Sequence, residues 1–168
     1  MTETVTIVPA GEADLPALAD LAGVIWRACY PGIISDEQIE FMLARMYDQA
    51  TLREEMRSQG IHFYRLLVDG HFGGFASLGP ANQPGVMKLH KLYLLPKLHR
   101  RGLGGRMLDH CAAEARRLGA HRLILAVNKH NARAIAAYRR NGFAVAEEVV
   151  NDIGGGFVMD DYLMARDL

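Results

Sequence analysis

The stretch from Val86 to Arg106 constrains the fold most. Val86 to Leu95 is apolar enough to read as a strand, and Pro96 ends it. The chain then passes Arg100-Arg101 and turns through Gly102, Gly104 and Gly105 into a helical pattern from about Gly104 to Leu118. A strand that leads through glycines into a helix belongs to a sheet covered by helices, not to an all-β meander.

The rest of the chain fits that frame. Val5 to Val8 alternates as a first strand, and Glu12-Ala13-Asp14 opens a helix with Leu15, Leu18, Leu21 and Ile25 on one stripe. Tyr30-Pro31-Gly32 breaks it, and Ser35 with Gln38 forms a capping-box pattern ahead of Ile39, Met42, Leu43 and Met46. A short charged helix follows from Thr51 to Ser58. Asp69-Gly70 between His62–Val68 and His71–Leu78 is a hairpin signal. Leu123 to Val127 is a strand, and Asn131 to Arg140 is a helix closed by Asn141-Gly142. Phe143–Val150 and Phe157–Ala165 are the last strands. The order predicts an α/β (α+β) domain over residues 1–168, a mixed, mostly antiparallel twisted sheet of about seven strands with helices on both faces.

Half the residues are hydrophobic, so a disordered chain is excluded. The formal net charge of zero conceals segregation. Residues 1–69 hold 11 acids and 5 bases, residues 70–146 hold 13 bases and 2 acids, and residues 147–168 hold 6 acids and 1 base. Cys29 and Cys111 show no metal-ligand spacing, and both fit apolar helix faces as small hydrophobes. The first twenty residues carry no Lys or Arg, unlike a signal peptide, and no apolar run nears the ~18 residues of a membrane span. The expectation is a cytoplasmic protein with no metal, no membrane and no nucleic-acid partner; the basic middle lacks interleaved aromatics for base stacking.

The glycine turn carries the first chemistry. Glycines let backbone N–H groups converge on one point, and a helix N-terminus adds partial positive charge there. Arg100, Arg101 and Arg106 add full charges, so phosphate or pyrophosphate fits. The Gly-Lys-Ser/Thr of a Walker loop is missing, and Met107 stands where a dinucleotide fingerprint needs its third glycine. Asn131 and Tyr138 supply the second constellation. Seven residues apart, they share a helix face about 10.5 Å apart. A phenol with a pKa near about 10 is a reasonable proton donor to a thiolate.

Leu92-Tyr93-Leu94-Leu95-Pro96 followed by His99-Arg100-Arg101-Gly102-Leu103-Gly104 resembles the acetyl-CoA motif of the GNAT superfamily of N-acetyltransferases. His99 departs from the Gln or Arg usual there. Asn131, Ala134, Tyr138, Gly142 and Phe143 resemble the second motif of that family. The resemblance implies that acetyl-CoA is the co-substrate. It implies that His99, Arg100, Arg101, Gly102, Leu103, Gly104 and Gly105 cradle its pyrophosphate. It places Leu92, Tyr93 and Leu94 along the pantetheine arm, Asn131 against the cofactor, and Tyr138 as proton donor to the leaving thiolate. A homodimer is common in the family.

Period 2 puts Lys88, His90, Leu92 and Leu94 on one face of their strand, making His90 the candidate base, with a water chain as the other route. Trp26–Tyr30 and Asp152–Met164 are similar to the branch with polyamine and diamine acetyltransferases. That branch implies transfer to a small cationic amine by direct attack in a ternary complex. Protein-amine acetylation and a non-catalytic CoA sensor remain alternatives.

Overall fold

A computed structural model describes residues 2–168. The strands are β1 (Val5–Ala10), β2 (His62–Val68), β3 (His71–Pro80), β4 (Val86–Leu94), β5 (Arg122–Asn128), β6 (Ala144–Gly154) and β7 (Phe157–Asp167). The α-helices are α1 (Leu15–Cys29), α2 (Asp36–Met46), α3 (Gln49–Ser58), α4 (Leu103–Arg117) and α5 (Ala132–Arg140). The seven strands form one sheet in the order β1-β2-β3-β4-β5-β7-β6. Only β4 and β5 run parallel, joined by the crossover through α4.

Two apolar layers hold the sheet. Leu15, Leu18, Ile25 and Trp26 of α1 pack with Ile39 and Met42 of α2 and Leu52 of α3 on one face. Leu103, Met107, Leu108 and Cys111 of α4 pack with Ile135 of α5 on the other. Cys111 is therefore the core hydrophobe its spacing predicts, whereas Cys29 is only half-buried, at the end of α1.

Local chemistry sets the boundaries. Asp69 at φ 50° and Gly70 at φ 81° give the left-handed pair that a type I′ hairpin needs. Glu12–Asp14 forms a separate 3-10 turn before α1. Only half of the expected capping box forms. The Gln38 N–H donates to Ser35 Oγ at 3.1 Å, while the Gln38 side chain donates to the Val158 carbonyl at 2.9 Å. A tertiary acceptor on β7 has taken the side chain that the local motif would use.

Candidate active site

The parallel pairing of β4 with β5 covers only Val86–Leu89 against Arg122–Leu125. At the next residue β4 carries a β-bulge: Leu89 faces Leu78 and Lys91 faces Ser77, leaving His90 as the extra residue. Beyond it the two strands part. The edge of β4 from residue 90 to 94 has no strand partner on the β5 side, while Ala126–Asn128 of β5 pairs only with β7. The sheet is therefore forked, with unpaired backbone donors and acceptors along one prong.

The bulge corrects the single face expected for Lys88, His90, Leu92 and Leu94. Leu92 and Leu94 pack with the α4–α5 core. His90 and Lys91 both lie on the α1–α3 side: Lys91 reaches Glu55 and the Tyr47 and Phe63 rings, and His90 Nε2 lies beside Gly79 and Ile61. His90 is also not tuned near neutrality. Burial, with Lys88 and Lys91 adding repulsion, lowers its imidazole to about 4, and its buried Nε2 has no hydrogen-bond partner.

At the mouth of the fork lies the glycine turn. Gly102, at φ 74°, is the N-cap of α4 and supplies no side-chain cap. Ser35, Asp48 and Asn131 cap α2, α3 and α5 with side-chain oxygens. The first intrahelical bond of α4 is Arg106 N–H to the Gly102 carbonyl, so the N–H groups of Leu103, Gly104 and Gly105 precede the ladder. A Cβ added at Gly104 would meet only Leu94 Cδ1, at an ordinary 3.8 Å, so the space over these donors is open. Uncapped N–H groups at the start of a 15-residue helix make an anion cradle of the kind a pyrophosphate fits.

The side chains around the cradle are partly committed. Arg101 pairs with Glu3, and Arg106 donates to the Val5 carbonyl at 3.4 Å. His99 Nε2 bonds the Leu94 carbonyl at 2.9 Å, and Nδ1 takes the Arg133 guanidinium of α5. An Nε2–H tautomer satisfies both contacts. His99 thus ties the end of β4 to α5, the other side of the fork. Leu103 is buried, so it offers the cradle its N–H and not its side chain.

The end of α5 explains the spacing of its motif. Phe143 N–H donates to the Tyr138 carbonyl and Gly142 N–H to that of Arg139, with Gly142 at φ 89°. That is a Schellman cap, with Phe143 edge-on to Tyr138 at a ring separation of 5.9 Å. Glycine is required for the left-handed turn, and Phe143 fixes the Tyr138 ring, five positions before it. Asn131 caps the other end, accepting from Ala134 N–H at 3.3 Å. Burial, then the Tyr30 phenol, drives the Tyr138 pKa upward, and burial, then Tyr30, does the same to Tyr93. Tyr30 and Tyr93 share a 3.2 Å bond between their hydroxyls. Tyr30 at the end of α1 and Tyr93 of β4 therefore meet on the α1–α3 side, while Tyr138 of α5 packs with the α4–α5 core.

The sequence reading treated Tyr93 as backbone and gave Tyr30 no role beyond a turn and a branch motif; their contact joins segments 63 residues apart. The buried Lys91–Glu55 pair, 3.0 Å, was likewise missed. Two open grooves of about 490 and 500 Å3 lie outside the fork, one beside α5 and Tyr162, the other between Met56 and His110. Among the described residues no three His, Cys, Asp or Glu side chains could hold a metal, and no helix is long and apolar enough to cross a membrane.

The comparisons with known proteins agree with this arrangement. The model of the acetyltransferase (GNAT) family matches residues 23–143. A spermidine N(1)-acetyltransferase of Thermoplasma acidophilum is 30% identical over 152 residues, covering 88% of this chain and 90% of that protein. An uncharacterised N-acetyltransferase of Mycobacterium tuberculosis is 28% identical over 155 residues, 92% of this chain and 98% of its own. Among solved structures, the PaiA N-acetyltransferase of Thermoplasma acidophilum in complex with coenzyme A superposes with a TM-score of 0.82. It is 24% identical, with 98% and 99% of the two chains covered. By the family match, the forked sheet and the uncapped glycine turn, this chain belongs to the GNAT family and is an acetyl-CoA-dependent N-acetyltransferase.

Proposed function

We propose that the chain acetylates a small cationic amine, with donor and acceptor bound together, at the fork between β4 and β5. The observation that carries this is the coincidence of three features: the parting of the strands at His90, the uncapped start of α4 at the fork mouth, and the Tyr30–Tyr93 hydroxyl pair on the free prong. The spermidine acetyltransferase relative supports a polyamine-like acceptor.

Acetyl-CoA supplies an activated acetyl group whose carbonyl carbon the amine attacks. The N–H groups of Leu103, Gly104 and Gly105 hold the pyrophosphate, with Arg100 adding charge and His99 and Asn131 holding the flanking backbone. The free edge of β4 around Leu92, Tyr93 and Leu94 aligns the pantetheine arm, and a backbone N–H there meets the charge growing on the carbonyl oxygen. As the C–N bond forms and the C–S bond breaks, Tyr138 gives its proton to the sulfur, and the proton that leaves the acylated nitrogen returns through solvent to the phenolate. Burial keeps that phenol protonated at physiological pH and also makes it a weaker acid than an ordinary phenol, so its transfer to sulfur is coupled to the charge that builds as the C–S bond breaks.

The amine must lose a proton before attack. His90, lowered to about 4, holds a proton only weakly, so a water chain is the favoured route. A single catalytic domain over residues 1–168, paired as a homodimer in the cytoplasm, completes the reading. A thiol-release screen over polyamines, amino acids, aminoglycosides and peptides tests it. Polyamines leading supports the acceptor class, and peptides leading overturns it.

A further inference from the structure

Asp161 is the charged group at the fork that nothing in the fold answers. It is 5% exposed, and its Oδ1 is buried without a hydrogen-bond partner. Among the described residues it has no ion-pair partner, although the other buried charge, Lys91, is matched by Glu55 at 3.0 Å. A carboxylate out of water without a partner is unfavourable, and proteins accept it where a ligand completes the pair.

Its position is specific. Strand alternation sends Tyr162 and Met164 to the α4–α5 core and Met159, with Asp161, to the α1–α3 side. Asp161 stands opposite Asn128, the last residue of β5. Tyr30 is hydrogen-bonded to Tyr93 of β4, and burial, with a smaller repulsion from Asp161, raises its phenol pKa. The neighbouring charges do not neutralise Asp161. Lys129 is held by Asp160 at 2.8 Å and Glu148 at 3.2 Å. Burial and then Asp160 push the Asp161 carboxyl upward, against Lys88 and Lys129, neither of which forms an ion pair with it.

We propose that Asp161 is the specificity carboxylate of the acceptor side, pairing with a second ammonium of the amine substrate while the reacting nitrogen approaches the fork. The reacting nitrogen must be neutral to attack, so a lasting charge on the substrate needs its counter-charge away from that atom. Asp161 supplies it, and a diamine or polyamine is the class selected. This assignment rests on the amine-acetylation reading above.

The test compares 1,5-diaminopentane with 1-aminopentane, which differ by one terminal ammonium, in wild type and Asp161→Asn. Charge-assisted pairs of this kind predict a wild-type preference for the diamine in kcat/KM of about tenfold or more, carried mainly by KM. Asp161→Asn should bring that ratio near unity without melting below wild type, because the amide keeps the shape and removes an unpaired charge. A retained preference in Asp161→Asn, or no preference in wild type, overturns the proposal. Calorimetric titration of 1,5-diaminopentane into the CoA complex separates this from the reaction itself. If neither amine releases thiol, the acetylation reading fails. Asp161 is then judged on binding alone, supported by loss of diamine binding in Asp161→Asn and overturned by equal binding.

Discussion

Gly104 separates what the fold needs from what the cofactor needs. An added Cβ there meets only Leu94 Cδ1 at 3.8 Å, so Gly104→Ala and Gly104→Val enter without a clash at the first carbon. At Gly105 the same carbon meets Asn141 Oδ1 at 3.0 Å, which is tight. Replacing glycine by alanine on a helix restricts the unfolded chain and favours the fold by up to about 1 kcal/mol. The new methyl, however, occupies the open space over the N–H groups of Leu103, Gly104 and Gly105. Each hydrogen bond to a charged phosphate is worth about 1.5–3 kcal/mol, so losing one weakens CoA binding about tenfold to a hundredfold. Calorimetric CoA titration beside thermal melting reads both quantities. The expected pair is an unchanged or raised Tm for Gly104→Ala with a weakened Kd, and a larger loss for Gly104→Val. CoA affinity within about twofold of wild type in both folded variants would refute the cradle.

Three further perturbations follow. Tyr138→Phe keeps the ring against Phe143 and removes the proton; turnover should fall about 100-fold or more with CoA affinity preserved, read by steady-state rates and calorimetry. His90 sits at about 4 in the fold against an ordinary 6.5. As a base with a lowered pKa it costs no stability above pH 6.5. As pH falls from 6.5 to 4 the unfolded chain gains the proton first, and about 3 kcal/mol is lost. Urea denaturation of His90→Gln should lose that slope. Glu55→Ala leaves Lys91, 4% exposed, as an unmatched buried charge, and should cost about 3–5 kcal/mol, while Glu55→Ala with Lys91→Met should recover much of it.

Local signals were legible in the sequence because neighbours in the chain make them. Asp69-Gly70 gave its I′ hairpin, Ser35 its cap, and Asn141-Gly142-Phe143 the Schellman end of α5. The uncapped glycine turn at the start of α4 was legible for the same reason: it is one segment. The bulge at His90 was not legible, since it exists only in the register of β4 against β3. Alternation alone put His90 with Leu92, and one extra residue reversed that. The branch motif Asp152–Met164 contains Asp161, but its burial without a partner is not legible there, since it depends on Lys129 turning to Asp160 and Glu148. The segregated charge also has a topological part. Inserting β7 beside β5 brings acids of the tail against bases of the middle, as in Arg122–Asp167 and Lys129–Asp160, and Glu3 reaches Arg101. Some of the segregation is therefore cross-strand pairing.

Initial-rate kinetics with acetyl-CoA and 1,5-diaminopentane varied together test the central claim most directly. Attack at a fork that holds both substrates predicts thiol release matched one-to-one by acetylated diamine, with intersecting double-reciprocal lines. Parallel lines, which signal an acetylated enzyme, or no thiol release at saturating diamine, would contradict it.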